Sequence, residues 1–218
     1  MKTLNANRRQ IIGGAAALAA ASVLPAAAQD ALEDKGYALG DVVLGSEDAP
    51  VTVIEYASFT CPHCKNFHVQ SWPTIKRDYV DTGKVRFIMR EVYFDQFGLW
   101  GAMVARCGGE ERYYDLVDAL LKNQDQWYGV HREAFVQTKN AGPIVDELKK
   151  IGRRVGMSNT RIEECVTDVA LRDRLVADFQ EYAERDNVRS TPSFMINGEM
   201  TTGVRSPAAM AELIDQHL

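Results

Sequence analysis

Near its start, the chain has two strand-like stretches on either side of a stretch with helical periodicity. Residues 51–59 (VTVIEYASF) are apolar and rich in β-branched and aromatic side chains, which predicts a buried strand. Residues 84–92 (KVRFIMREV) alternate apolar and polar positions and predict a second strand. Between them, residues 61–80 predict an amphipathic helix with a kink at Pro73. The apolar positions at helical spacing are Cys64, Phe67, Trp72, Ile75 and Tyr79. Strand, helix and strand in this order predict a right-handed βαβ unit with parallel strands.

The next part of the chain is helical in pattern over residues 96–187. Glycine, proline and serine residues mark the breaks between helices. The predicted helices lie near residues 97–107, 110–123, 143–156, 159–167 and 169–186.

The last part of the chain returns to strand-like patterning. FMIN at residues 194–197 runs into the Asn197-Gly198 hairpin signal, and a final helix is predicted over residues 206–218 with Ser206 as its N-cap. The predicted fold class is therefore α/β, a split domain with an inserted all-helical domain. The division is residues 29–95 and 188–218 for the α/β domain and residues 96–187 for the insertion.

The first 28 residues differ from the rest. Lys2, Arg8 and Arg9 precede a weakly apolar stretch that ends in small residues at Ala28, which predicts a signal peptide cleaved near that residue. The alternative is a membrane anchor, which the Gly- and Ala-rich composition and the shortness of the segment disfavour. The arginine pair is typical of twin-arginine export, and general secretion stays open.

Charge and composition narrow the possible functions. The chain is 46% hydrophobic, enough for a sizeable core. Without residues 1–28, which hold three of the 25 basic residues and none of the 30 acidic ones, the net charge is −8. This acidic balance gives no support to nucleic-acid or anionic-membrane binding.

The stretch SFTCPHCKNF, residues 58–67, carries the candidate chemistry. A structural zinc site needs four ligands; Cys107 and Cys165 are isolated in the sequence, and His68 is the one nearby candidate, so no metal site is predicted. A purely structural Cys61–Cys64 bridge would close a very small loop and remove little entropy. A CxxC motif at a strand-to-helix junction is typical of a redox-active pair.

The position of the motif predicts different roles for its two cysteines. Cys61 stands at the helix start, where backbone N–H groups and the helix dipole favour a thiolate, so its pKa should be low. Cys64, one turn deeper on the buried face, should keep a higher pKa and act as the resolving thiol. His63 would add to the effect on Cys61 when its ring is protonated or donates a hydrogen bond; the alternative is an exposed loop histidine with no role. A low pKa at Cys61 stabilises the reduced form and makes the disulfide a strong oxidant.

EYASFTCPHCKNF after a strand resembles the DsbA-type thiol–disulfide oxidoreductases of the thioredoxin superfamily, and Pro62-His63 matches the CPHC pattern of their oxidase members. The resemblance extends over nearly all of the chain after residue 28, including RSTPSFMINGE. It implies a thioredoxin fold in which Pro192, after Thr191, is a cis-proline that faces the cysteines; the alternative is an ordinary trans proline. It also implies that Glu55 relays protons to the deeper cysteine, whereas the alternative is a carboxylate exposed at the sheet edge.

Two positions depart from the oxidase pattern. His68 occupies a place where oxidase members often carry an acidic residue, which makes the local charge less negative and leaves the surface near the site open. Thr191 before the proline is more typical of the isomerase and reductase branches. Cys107 and Cys165 are expected to form a second, structural disulfide, as in some DsbA-type proteins, and the alternative is two buried free thiols.

The resemblance implies an exported, periplasmic and monomeric enzyme that introduces disulfides into client proteins. It implies re-oxidation by a DsbB-like, quinone-linked membrane oxidase, and no organic cofactor beyond the Cys61–Cys64 disulfide. One alternative is a disulfide isomerase or reductase of the same fold. The other is a chaperone-like binding module that would not need Cys61.

Overall fold

The structure, a computed structural model, describes residue 32, residues 34–203 and residues 205–218. The predicted signal segment, residues 1–28, lies outside these ranges. Within them, no helix is both long and apolar enough to cross a membrane.

A five-stranded mixed sheet forms the centre of the molecule, with the strand order β1-β3-β2-β4-β5. Strands β2 and β3 run parallel, from the pair Val51–Val85 to the pair Ala57–Glu91, and the other neighbours are antiparallel. The strands are β1 (Val43–Leu44), β2 (Val51–Ala57), β3 (Val85–Glu91), β4 (Ser193–Ile196) and β5 (Glu199–Thr202). Both predicted strands of the βαβ unit and the C-terminal hairpin are confirmed. Asn197 and Gly198 both have positive φ, the conformation of a tight two-residue hairpin turn.

The helical part of the βαβ unit is broken near its middle. Helix α1 (Pro62–Gln70) ends at Ser71, and α2 (Trp72–Ile75) continues into a π-helical turn (Lys76–Val80). Pro73 causes the break because it has no N–H to donate to the carbonyl group four residues before it. The kink predicted at this proline is therefore confirmed.

The helices of the insertion lie between β3 and β4. They are α3 (Gln96–Cys107), α4 (Glu110–Lys122), a π-helical turn (Asp125–Gly129), α5 (Arg132–Thr138), α6 (Gly142–Arg154), α7 (Asn159–Thr167) and α8 (Val169–Arg185). The chain closes with α9 (Pro207–Asp215), which Ser206 caps by accepting a hydrogen bond from the Ala209 amide. The predicted fold class, an α/β fold with a helical insertion, is confirmed.

Aromatic side chains fill the space between the sheet and the first helices. Phe67 packs on Phe194 with ring centroids 4.7 Å apart, and Trp72 packs on Phe87 at 4.2 Å. Trp127 is fully buried in the insertion. Trp72 and Trp127 are thus core residues, whereas Trp100 and Tyr128 lie at the edge of the core with part of their surface exposed.

A disulfide links two helices of the insertion, and an ion pair links the insertion to the sheet. Cys107 at the end of α3 is disulfide-bonded to Cys165 in α7, as expected, with the two Cα atoms 6.0 Å apart. Arg106, next to Cys107, forms a buried two-point ion pair with Glu91 at the end of β3, in which both N–O distances are 2.7 Å. This ion pair fixes α3 against the carboxyl end of a central strand.

Candidate active site

Cys61 is the N-cap residue of α1, and Pro62 occupies the first turn. Strand β2 ends at Ala57, so the intervening loop brings the cysteine to the carboxyl edge of the sheet. Cys61 is partly exposed, whereas Cys64, one turn into the helix, is completely buried. Both are free thiols in this structure. The geometry gives one thiol that a client protein can reach and one that it cannot.

The two thiols differ strongly in acidity. The hydrogen bond from the Cys64 thiol lowers the pKa of Cys61 to about 5; burial opposes this shift, and hydrogen bonds with Thr191 and with the Cys64 and His63 backbone amides assist it. Burial, the hydrogen bond to Cys61 and the charge of Glu55 raise the pKa of Cys64 well above its usual value. The predicted division of acidity is confirmed.

His63 contributes to the low pKa of Cys61 through its backbone amide rather than through its ring. Its side chain points to solvent. The expected contribution of the imidazole is not among the principal causes of the shift, because the amides of the first helical turn already point at the sulfur. A role for the ring toward a client or a redox partner stays a prediction.

Alkylation of reduced protein with iodoacetamide is expected to titrate with a midpoint near pH 5, because only the thiolate reacts and the pKa of Cys61 is about 5. The rate should be constant above about pH 6 and fall tenfold per pH unit below the midpoint. Stopped-flow measurements between pH 3 and pH 9 check this. Cys64→Ala removes the largest stabilising hydrogen bond and should move the midpoint upward. A wild-type midpoint near 8 would contradict the assignment.

The loop before β4 faces Cys61. The Thr191–Pro192 peptide bond is cis, and the carbonyl oxygen of Thr191 lies 3.5 Å from the Cys61 sulfur. The trans alternative is therefore excluded. Thr191 is partly exposed and Pro192 is buried, so the backbone before the proline borders the accessible thiol. An extended peptide could add to such an exposed backbone edge.

Glu55 and His68 form a completely buried pair behind the motif. Glu55 lies on β2 between its partners Met89 on β3 and Phe194 on β4, so the alternative of an exposed edge carboxylate is wrong. His68 Nε2 is 2.8 Å from Glu55 Oε2. His68 is not part of the surface near the site, because the inner face of α1 turns its ring into the core.

Two residues of the insertion, and Asp95 directly before it, fix the active-site loop and the start of α1. The buried Gln124 amide donates hydrogen bonds to the carbonyl oxygens of Phe59 (2.8 Å) and Cys61 (3.0 Å). Asp95 accepts a hydrogen bond from Thr60 and caps α3, and Asp125 pairs with Lys65 of α1. The capping pattern at Asp95 is visible in the sequence, whereas nothing local marks Gln124.

Gly101 allows α3 to pack directly against this loop. A Cβ atom at this position would lie 3.0 Å from the Phe59 side chain, closer than normal packing permits. The absence of a side chain at Gly101 thus sets the distance between the insertion and the residues that precede Cys61.

The chain was compared with known proteins. A family model described as Thioredoxin matches residues 38–216. A putative protein-disulfide oxidoreductase of Rickettsia bellii is 32% identical over 162 residues, which cover 74% of this chain and 58% of that protein. The match thus spans less than two thirds of this curated relative.

Solved structures extend the comparison. Wolbachia pipientis alpha-DsbA1 superimposes with a TM-score of 0.71 at 28% identity, covering 81% of this chain and 90% of that one. A protein-disulfide isomerase from Novosphingobium aromaticivorans gives 0.70 at 26% identity, covering 82% and 99%. Each of these similarities includes the sheet and most of the helical insertion.

Proposed function

This chain belongs to the thioredoxin family, in its DsbA-type branch, and we propose that it is an exported enzyme that introduces disulfides into client proteins through the Cys61–Cys64 pair. The observation that carries the proposal is the unequal acidity of the two thiols. Cys61, at a helix N-terminus, has a pKa of about 5, while that of the buried Cys64 is raised. This asymmetry stabilises the reduced enzyme and makes its disulfide oxidising.

The reaction begins at the exposed sulfur. A client thiolate attacks Cys61, the Cys61–Cys64 bond breaks, and Cys64 leaves and takes up a proton. A second client thiolate then attacks the client sulfur of the mixed disulfide, so that the client disulfide forms and Cys61 leaves as a thiolate. Two electrons pass from the client to the enzyme. The low pKa of Cys61 favours this second step because a more stable thiolate leaves faster.

The size of the redox effect follows from the pKa of Cys61. At pH 7, a thiol with a pKa of about 5 is about a hundredfold more thiolate than thiol, and a thiol of ordinary pKa is mostly protonated. The difference corresponds to up to about 60 mV in favour of the reduced form. This is an upper limit, since Cys61 is partly exposed and solvent screens the interaction. The stabilisation is lost as the pH falls through 5.

Thr191 and Glu55 are assigned supporting roles. The Thr191 backbone would pair with the extended client segment, since its carbonyl oxygen lies beside Cys61. Glu55 would supply the proton that Cys64 needs as it leaves, because it is buried and its charge acts on that thiol. The second disulfide, Cys107–Cys165, is assigned a structural role within the insertion.

Export to the periplasm is part of the proposal. The basic and small-residue pattern of residues 1–28 supports it, as does the Cys107–Cys165 bridge, because disulfides form and last in an oxidising compartment. Re-oxidation is proposed to come from a quinone-linked membrane oxidase resembling DsbB. The enzyme is proposed to act as a monomer without an organic cofactor.

Isomerase activity is the second candidate, and Thr191 is the observation that favours it. The Novosphingobium protein named as a disulfide isomerase superimposes at 26% identity. The two functions differ in which redox form of the Cys61–Cys64 pair must predominate.

The test is to give the oxidised enzyme a reduced, unfolded protein with several cysteines, and the reduced enzyme a scrambled one. An oxidase should form disulfides rapidly in the first assay and do little in the second. Equilibration with glutathione should give a reduction potential between about −180 and −120 mV. A potential near about −270 mV, typical of thioredoxin, together with rapid unscrambling, would contradict the proposal.

A further inference from the structure

We propose that His68 shares the proton that moves to and from Cys64, so that Glu55 and His68 act as one buried acid–base pair. This inference rests on the proposed function, because it concerns the step in which Cys64 leaves or attacks. The sequence resemblance implies that Glu55 alone relays the proton. In the structure, the imidazole of His68 contacts the Glu55 carboxyl group.

The pair is closed off from solvent, and its two members hydrogen-bond to each other. His68 Nε2 and Glu55 Oε2 are 2.8 Å apart, and both side chains are essentially inaccessible to solvent. The remaining polar atoms, Glu55 Oε1 and His68 Nδ1, have no hydrogen-bond partner among the described residues. Each of these two atoms is a position at which the pair can take up or release a proton without losing its inner hydrogen bond.

The pair has two protonation states that differ by one proton, and both keep the hydrogen bond between Glu55 and His68. With the extra proton it is electrically neutral, either as two neutral groups or as carboxylate and imidazolium. Without it, the imidazole N–H donates to the carboxylate and the pair carries one negative charge. Burial alone keeps a carboxyl group protonated, and a donated hydrogen bond offsets that cost for the carboxylate. His68 thereby makes the anionic, proton-accepting form of Glu55 accessible.

Cys64 needs such a partner because it is buried and its pKa is raised. Besides Cys61, Glu55 is the ionisable side chain whose charge acts most strongly on it. From α4, the Tyr114 hydroxyl faces the same region, but it contacts the backbone oxygens of Val42 and Phe87. Glu91, at the end of β3, and Arg106 form an ion pair with each other.

The neighbours of the pair in the sheet and in the aromatic core carry no titratable group. Glu55 is flanked in the sheet by Met89 and Phe194, and the His68 ring packs against Phe67 and Trp72.

The proton transfers balance in both directions. When a client thiolate attacks Cys61, the neutral pair gives its extra proton to the leaving Cys64 sulfur and becomes anionic, so the negative charge of the client passes to the pair. When a mixed disulfide at Cys61 is resolved, the anionic pair takes the proton from the Cys64 thiol as its sulfur attacks Cys61. The thiol bound to Cys61 is expelled as a thiolate.

The experiment follows the Cys64 step separately from the Cys61 step. Reduced protein is mixed with oxidised glutathione, and acid-quenched samples are analysed by mass spectrometry between pH 5 and pH 9. Formation of the Cys61–glutathione mixed disulfide reports on Cys61, and its decay to the Cys61–Cys64 disulfide reports on Cys64. The variants are Glu55→Gln, His68→Gln and the double variant. His131→Gln, a histidine-to-glutamine change in the distant helical insertion, is the matched control.

The His68→Gln side chain can donate a hydrogen bond to Glu55 but cannot store a second proton, which separates proton sharing from positioning. Wild-type resolution should depend less on pH than resolution in the variants, because the pair accepts the Cys64 proton. We expect His68→Gln and Glu55→Gln each to slow resolution by about tenfold or more at pH 7 and to make it rise with pH up to 9. The double variant should be no slower than the slower single variant, because the residues act as a unit. Mixed-disulfide formation should be unchanged.

A wild-type rate and pH profile in His68→Gln would overturn the inference and leave His68 as a positioning residue only. Multiplying effects in the double variant would also overturn it. If wild-type protein never resolves the mixed disulfide, the proposed function itself fails. Should the variants not fold, ¹⁵N spectra of the wild-type imidazole decide: the pH at which His68 titrates must differ between the reduced and oxidised proteins, and an equal value contradicts proton sharing.

Discussion

Replacing Cys61 with serine is expected to lower the rate of client oxidation by at least about a thousandfold, because it removes the sulfur that client thiolates attack. A serine hydroxyl forms no disulfide, and the buried Cys64 cannot be reached from solvent. Cys64→Ser should have a different effect. It keeps the accessible Cys61 thiol but has no disulfide to give. When its Cys61 thiolate attacks a disulfide of an oxidised client, one client thiolate is released and the mixed disulfide should accumulate, because no Cys64 thiol can resolve it. Non-reducing gels and mass spectrometry of quenched reactions distinguish the two results.

The matched control is Cys107→Ser/Cys165→Ser, which removes the other two cysteines from a bridge inside the insertion. This variant should retain oxidase activity at temperatures at which it stays folded. The experiment also separates the redox functions from a chaperone-like binding module. If Cys61→Ser promoted client folding as well as wild-type protein, the module would be the correct interpretation and thiol–disulfide exchange would not.

The redox pair could be predicted from the sequence because its signal is local. A CxxC motif spans one helical turn, and the apolar strand before it places its first cysteine at a helix start. The helix position then favours the first thiol as the acidic one and the second as the buried one. The largest causes of the low pKa of Cys61 and the raised pKa of Cys64, the hydrogen bond between the two thiols and the burial of Cys64, follow from this element, and Thr191 and Glu55 add to them.

The surroundings of the pair could not be predicted in the same way. Glu55 and His68 are separated by 13 residues, and their contact depends on how α1 rotates as it packs on β2. Gln124 reaches the Cys61 carbonyl from 63 residues away, through the placement of the whole insertion. Hydrophobic periodicity gives the buried face of a helix, but it does not give the partner that a polar side chain meets there.

The elements that the sequence analysis missed are short and depend on tertiary contacts. Strand β1 has two residues and exists because Val43 and Leu44 pair with β3. The π-helical turn at Asp125–Gly129 buries a single residue, Trp127, and helix α5 buries none. Neither element therefore shows a clear apolar period in the sequence. The longer helices of the insertion, whose apolar stripes extend over several turns, are all confirmed.

Replacing Arg106 with methionine is expected to destabilise the protein by about 3–5 kcal/mol, the largest stability effect that we predict for one side chain. Methionine fills much of the same volume but leaves the buried Glu91 carboxylate without its cation. Among the residues that the structure describes, Tyr113 alone would still donate a hydrogen bond to that carboxylate, at 2.7 Å. The carbonyl oxygens of Ala38 and Gly40 would lose their Arg106 donor as well. Urea unfolding of protein with its Cys107–Cys165 bridge intact measures the effect.

Arg172→Met provides the matched control, because Arg172 pairs with Asp173 on the exposed face of α8 and should cost less than about 1 kcal/mol. In Glu91→Gln/Arg106→Met, no charge is left buried without a partner, so this variant should be more stable than Arg106→Met alone. It should not regain wild-type stability, since the Ala38 and Gly40 carbonyl groups still lack a donor. A cost for Arg106→Met as small as that of Arg172→Met would mean that water or another cation reaches Glu91. The ion pair would then not be what holds the insertion against β3.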